Sequence, residues 1–265
     1  MSGAPVHIGI GGWTYEPWRD NFYPKGLPQA RELEYAATHV TAIEINGTYY
    51  RLQGADSFAK WAKAVPDGFV FAVKASRFCT NRKILSEGGE SIAKFLGQGL
   101  TELGEKLGPI LWQFMPTKIF DPTDFAAFLS LLPAQQDGIA LRHAIEVRHA
   151  SFVCAEFVEL ARRHKVAIVF ADHDGYPTIP DLTADFVYAR LQAAQADIAT
   201  GYSDSALDRW AEVAKSWRTG HAPDGFDYVA QKEASAAGRE LFLFMINGAK
   251  ERAPAAAEAL LERLA

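Results

Sequence analysis

Polar side chains recur wherever a short apolar run ends in this sequence. Glu44-Ile45-Asn46 closes one such run, Lys74 the next, and Gln113 the one after. Glu146-Val147-Arg148, Asp172-His173, Arg190-Leu191-Gln192 and Asn247 close the others. Carboxylates, a lysine and arginines gathered at one place suit acid–base work on a small anion. Glu44 and Glu146 are read as the acid/base pair, with Lys74 or Asp172 tuning them. Arg148 and Arg190 carry planar forks that match a carboxylate or a phosphate. Gln113 and Asn247 would orient substrate hydroxyls, with Asn46 among the substrate contacts. Trp13 and Tyr49 are the aromatic candidates to touch a flat ligand, being nearest to strand ends. Trp18, Phe22 and Tyr23 are read as loop packing.

Other chemistries use the same residues. Glycoside hydrolysis by Glu44 and Glu146 requires carboxyl groups about 5–9.5 Å apart. An imine-forming Lys74 needs a desolvated amine of lowered pKa, and a neighbouring Glu44 is expected to raise it instead. A mixed oxygen/nitrogen metal site could draw on Glu44, Glu146, Asp172 and His173. Lys74, Arg148 and Arg190 crowd that place with positive charge, and no HxH or HExxH occurs, so neither metal nor cofactor is expected. A reading outside enzymology is a small-ligand binder, or a protein holding nucleic acid on aromatics and arginines. The basic runs at Arg77, Arg82 and Lys83 and at 162–165 are more simply solvated faces.

These residues need a scaffold that brings strand ends together. Short β-branched runs suggest strands at His7–Ile10, Ala42–Ile45, Phe69–Val73, Ile110–Trp112, Ala144–Glu146, Ala167–Phe170, Phe186–Ala189 and Leu241–Met245. Helical spacing appears at Arg31–His39, Asp56–Ala64, Ser91–Leu107, Thr123–Leu132, Ala155–His164, Ser205–Arg218 and Pro254–Leu264. Eight alternating units predict an α/β fold, a (β/α)8 TIM-like barrel whose C-terminal mouth carries the polar ends. An open doubly wound sheet is the alternative, but Gly9-Ile10-Gly11-Gly12-Trp13 lacks the phosphate-binding glycine pattern. Pro177 and Pro180 predict a degenerate helix, a loop or single turn, between strands six and seven. No linker or repeat interrupts residues 1–265, so a single barrel domain is expected.

Composition narrows the setting. The 265 residues include 49% hydrophobic and 22% charged side chains, which fits a globular chain rather than a disordered one. No apolar run is long enough to span a bilayer, so no membrane association is expected. The N-terminus lacks the features of a secretory signal. Cys79 and Cys154 make neither a disulfide framework nor a metal motif, and a cytoplasmic location follows as the expectation. A formal net charge of −5 disfavours generic nucleic-acid binding, so the expected partner is a small polar or anionic ligand. Oligomeric state is not legible.

Several of these motifs together are similar to one family. Gly11-Gly12-Trp13-Thr14-Tyr15 with Trp18 and Phe22-Tyr23-Pro24 resembles the opening of the DUF72 (YecE-like) family. Glu44-Ile45-Asn46-Gly47-Thr48-Tyr49-Tyr50 resembles its EINxxFY segment, and Lys74-Ala75-Ser76-Arg77 its lysine-bearing third strand. Gly108-Pro109-Ile110-Leu111-Trp112-Gln113, Glu146-Val147-Arg148-His149 and Tyr188-Ala189-Arg190-Leu191 resemble GPILWQ, ExRH and YxRL. The resemblance runs in order along nearly the whole chain and implies a TIM-like barrel, with no assigned reaction. Asn81 and Gln192 stand where the family usually has histidines, and Ile246-Asn247 keeps one of two usual asparagines. Glutamine cannot shuttle a proton near neutral pH, so any such role of those histidines is lost here.

Overall fold

The computed structural model describes residues 3–230 and 237–265. Its barrel strands are β1 (Val6–Gly11), β2 (Ala42–Ile45), β3 (Val70–Lys74), β4 (Leu107–Gln113) and β5 (His143–Glu146). They continue with β6, in two pieces (Ala167–Ile168 and Phe170–Asp172), β7 (Phe186–Leu191) and β8 (Glu240–Met245). Every barrel pairing is parallel, and β1 bonds both β2 and β8. The two pieces of β6 close the ring: the first pairs with β5 and the second with β7. A separate two-stranded antiparallel hairpin joins Gln135–Gln136 to Ile139–Ala140. The expected α/β TIM-like barrel is the architecture found.

Helices α1 (Glu32–Ala36), α2 (Ala55–Lys63), α3 (Arg77–Thr80) and α4 (Gly89–Leu96) belong to the first half. Helices α5 (Pro122–Ser130), α6 (Ala155–Arg163), α7 (Asp204–Arg218) and α8 (Ala253–Leu264) belong to the second. Local capping explains several starts. Asp121 accepts hydrogen bonds from the Thr123 and Asp124 amides at the head of α5, and Ser203 accepts one from Ala206 at the head of α7. The long helix expected over Ser91–Leu107 is instead α4 and a 3-10 segment, Leu100–Lys106. Gly99, at φ 99°, supplies the left-handed residue that separates them. No helix lies between β6 and β7, as the two prolines imply. Among the described residues, no helix is long and apolar enough to cross a membrane.

Strand alternation sorts the apolar side chains into two layers. Ile43, Ile45, Phe71, Val73, Ile110, Trp112, Ile145, Val187, Ala189, Leu191, Leu241 and Leu243 face the helices and join the larger core. Ala42, Val70, Ala72, Leu111, Ala144, Tyr188, Phe242 and Phe244 fill the lumen in a second cluster. The lumen is therefore a packed core, as this fold requires. Gly9 allows β1 to approach β2, since a Cβ there would stand 2.0 Å from the Ala42 carbonyl oxygen. The N-terminal end of the lumen is stoppered by Glu240, which bonds His7 at 3.0 Å and also pairs with Arg142.

Candidate functional site at the barrel mouth

The lumen alternation continues past the apolar layer into charge. Glu44 follows Ala42 by two, Lys74 follows Ala72, Gln113 follows Leu111, Glu146 follows Ala144, and Arg190 follows Tyr188. Each is thereby turned inward at the C-terminal end of its strand. Arg190 lies between the two carboxylates. Its Nε and Nη2 donate to Glu44 at 3.1 Å each, and its Nη1 donates to Glu146 at 2.5 Å. The Tyr188 hydroxyl donates to Glu44 at 2.6 Å. Glu146 also accepts from Gln113 Nε2 at 3.0 Å and from Arg148 Nε at 2.6 Å. Both carboxylates are wholly buried.

This packing changes their chemistry. Despite the desolvation cost, the positive charges of Arg190 and Arg148 and the bonds from Gln113 and Arg148 hold Glu146 down at about 2. A carboxylate of that acidity does not keep a proton near neutral pH. The Tyr188 hydroxyl is pushed up by burial and by Glu44, so it stays a donor. The expected acid/base pair is thus an ion-paired base of the pocket, and the space a glycosidic bond would need is filled by a guanidinium. Arg190 spends one N–H of each of its three nitrogens on the two carboxylates.

Lys74 differs from its neighbours. Among the described residues its ammonium has no hydrogen-bond acceptor and no ion pair, and it lies 4.5 Å from the Tyr49 ring centroid. The residue is 9% exposed, and its Nζ is not among the sealed polar atoms. Burial, then repulsion from Arg190, lowers its pKa to about 8 against the opposing pull of Glu44 and Glu146. Glu44 does pull the value up, as expected, but burial and Arg190 outweigh it and the net shift is downward. Arg148 is the second cation at the mouth. Its guanidinium stacks over Tyr176, 4.4 Å from the ring centroid, and Nη1 donates to the Tyr176 hydroxyl at 3.4 Å. Its Nη2 makes no hydrogen bond among the described residues.

Other residues expected in the mouth sit elsewhere. Asp172 pairs in register with Leu191, one residue beyond inward Arg190, so it faces the helix layer. There it lines a 480 Å³ cleft with Arg209, Tyr202 and Trp210, where burial and then Asp174 raise its pKa. It partners neither Arg148 nor Lys74. Trp13 packs edge-on against Trp61 and Phe71 and, with Asn46 and Lys250, lines a 280 Å³ cleft beside the lumen. Asn46 itself donates to the Glu44 carbonyl at 3.2 Å. Asn247 adopts a left-handed turn at φ 61° and donates to Gln192 Oε1 at 2.7 Å. Gln192 is 4% exposed, and its Nε2 has no partner among the described residues. Because Glu44 and Glu146 are saturated and Asp172 is turned away, the four expected metal donors do not converge. Among the described residues no cluster of three or more such groups is placed to hold a metal.

Two further residues join the site. Tyr176 lies in the 175–181 loop, whose prolines signalled only irregular backbone. Asn81 donates to the Tyr49 hydroxyl at 3.2 Å. Asn81 and Met115 also line a 1060 Å³ cleft running outward beside the mouth. Of the basic run nearby, Arg82 is committed internally: it donates to Phe78 and Glu87 carbonyls and to Ser91.

A closed parallel barrel with a polar C-terminal mouth defines a TIM-type α/β protein. The chain belongs to the family described as "Protein of unknown function DUF72", whose model matches residues 7–265. The crystal structure of a DUF72 family protein from Thermotoga maritima is similar, with TM-score 0.72 and 23% identity over 98% of this chain and 99% of that one. A second, from Enterococcus faecalis, has TM-score 0.71 and 19% identity over 98% and 95%. At these identities the likeness is one of fold. The UPF0759 protein YunF of Bacillus subtilis is 28% identical over 160 residues, 58% of this chain and 54% of that protein. The chain therefore matches about half the length of this curated relative.

Proposed function

We propose that the protein is an enzyme acting on a small anionic metabolite at the barrel mouth, with Lys74 and Arg148 as the groups that meet it. The observation that carries this reading is the unaccepted Lys74 ammonium above a charge-balanced base. Glu44 and Glu146 offset Arg190 and Arg148, so a protonated Lys74 leaves a surplus positive charge in a poorly hydrated place. An anion would supply the missing acceptor, and Arg148 Nη2 offers a second donor. Glu44 and Glu146 then act as positioning residues that hold the cations, and Glu146, at about 2, carries no proton near neutral pH. This departs from carboxylate acid–base catalysis, which the low pKa of Glu146 opposes. Tyr49 and Tyr176 flank the two cations and suit a flat or small ligand.

The test is thermal stabilisation and calorimetric binding with a panel of phosphates, sugar phosphates and small carboxylates. The expected result is at least one binder whose affinity falls about tenfold or more on Lys74→Met and on Arg148→Met, as for loss of a charge-assisted hydrogen bond. Binding that is indifferent to both substitutions sinks the proposal.

A further inference from the structure

Lys74 has the surroundings of a nucleophilic amine rather than of a simple counter-ion. A lysine that only neutralises charge is placed against a carboxylate. Here both nearby carboxylates are taken by Arg190, Arg148, Tyr188 and Gln113. The amine is left under an aromatic ring, with Arg190 and Arg148 and the already hydrogen-bonded Glu44 and Glu146 as its charged company. Desolvation and adjacent cations are the conditions that activate a lysine toward carbonyl carbon. Building on the anion-site reading above, we propose that Lys74 condenses with a small carboxylate-bearing aldehyde or ketone, a 2-oxo acid in the simplest case, to form an imine. Arg148 Nη2 receives the carboxylate.

The chemistry balances without any oxidant or reductant. The ammonium first loses a proton to water at the mouth. The Nζ lone pair attacks the carbonyl carbon, a C–N bond forms as the C=O π bond breaks, and one Nζ proton passes through water to the oxygen to give a carbinolamine. The nitrogen lone pair then forms C=N as the C–O bond breaks, the hydroxyl taking back from water the proton first released and leaving as water, and the protonated imine loses its proton to give the imine. The net change is amine plus carbonyl to imine plus water. An amine whose pKa lies at about 8 has a much larger neutral fraction near pH 7 than an ordinary lysine. Glu146, ionised beneath, stabilises the protonated imine that would draw electrons from the bound carbon.

The probes are glyoxylate and pyruvate, each with sodium borohydride, which delivers hydride to the imine carbon and fixes it as a secondary amine. Peptide mass spectrometry then locates the adduct. Lactate, which has no carbonyl, reports the anion site alone. The expected result is modification of Lys74 about tenfold above any other lysine, suppressed by excess lactate. Lys74→Arg, which keeps the charge but has no nucleophilic amine, should give no adduct at position 74. Lactate binding that depends on Lys74 and Arg148, with no adduct at Lys74, overturns the imine and leaves the anion site standing. Adducts spread evenly over the lysines overturn it as well. Absence of lactate, glyoxylate and pyruvate binding overturns the 2-oxo acid assignment, and the wider panel then decides the anion site separately.

Discussion

Arg190 meets Glu44 through two parallel hydrogen bonds of 3.1 Å, although the residues stand 146 positions apart in the chain. The third arm of the same guanidinium ends on Glu146. One side chain on β7 thus ties β2 to β5 across the lumen. This bond sets the charge state of the mouth, and most expected behaviour of the protein follows from it.

Removing that tie should destabilise strongly. Arg190→Met leaves two buried carboxylates without their main partner, which costs about 3–5 kcal/mol for a buried pair broken on one side. Urea denaturation at neutral pH measures it. Replacing Glu44 and Glu146 by Gln together with Arg190→Met should recover part of the loss, because no buried charge is then left unpaired. A loss below about 1 kcal/mol for the single variant would be typical of an exposed pair and would contradict the buried geometry.

Acid should expose the same group. Glu146 is lowered in the folded state, from 4.5 to about 2. Its contribution to stability is therefore complete above about pH 4.5 and is lost as pH falls toward about 2, where the folded state also takes up the proton. Denaturant midpoints across pH 6 to 2 should fall in that window. Glu146→Gln should start less stable at pH 6 and show a shallower fall. Equal slopes for both proteins would show that Glu146 is not the titrating group.

Alkali should act in the opposite sense through Lys74. Its folded pKa of about 8 lies below the ordinary lysine value of 10.5, so between these limits the unfolded chain binds the extra proton. Stability from this group therefore rises with pH through the window and is penalised below it. Compared with Lys74→Met, the native protein should gain on the order of 1–3 kcal/mol between pH 7 and 10. Paired urea titrations at the two pH values give the difference. An unchanged difference would place Lys74 in ordinary solvent.

The cysteines should react unequally. Cys79 is fully buried, donates to the Ser91 carbonyl at 3.4 Å, and has its thiol pushed up to about 12 by burial. Cys154 is half-buried at the head of α6. A maleimide pulse at neutral pH should label Cys154 first, with Cys79 labelled only on unfolding. Native-state labelling of Cys79 at the rate of Cys154 would mean that the packing around α3 opens readily.

Local patterns made much of the architecture legible. Alternation along β2, β5 and β7 put Glu44, Glu146 and Arg190 on lumen-facing positions, and the prolines near Tyr176 marked a connection without a helix. What was not legible was the partnering. Lys74 stands one strand from Glu44, which along the chain suggests a pair, yet Arg190 reaches Glu44 from across the barrel and leaves Lys74 without an acceptor among the described residues. Asp172 ends an apolar run, which along the chain points to the mouth. The interruption between the two pieces of β6 and the register against Leu191 turn it toward α7 instead. Tyr176 carried no signal, because a loop residue has no periodicity to read.

The amino-acid order by itself determined the alternation of strands and helices and the inward polar positions at the strand ends, because side-chain period and local capping are set by near neighbours in the chain. Only the closed barrel decided which charges neutralise one another. Closure brings β2, β5 and β7 within one guanidinium's reach, and that packing, invisible along the chain, separates two spent carboxylates from one available amine.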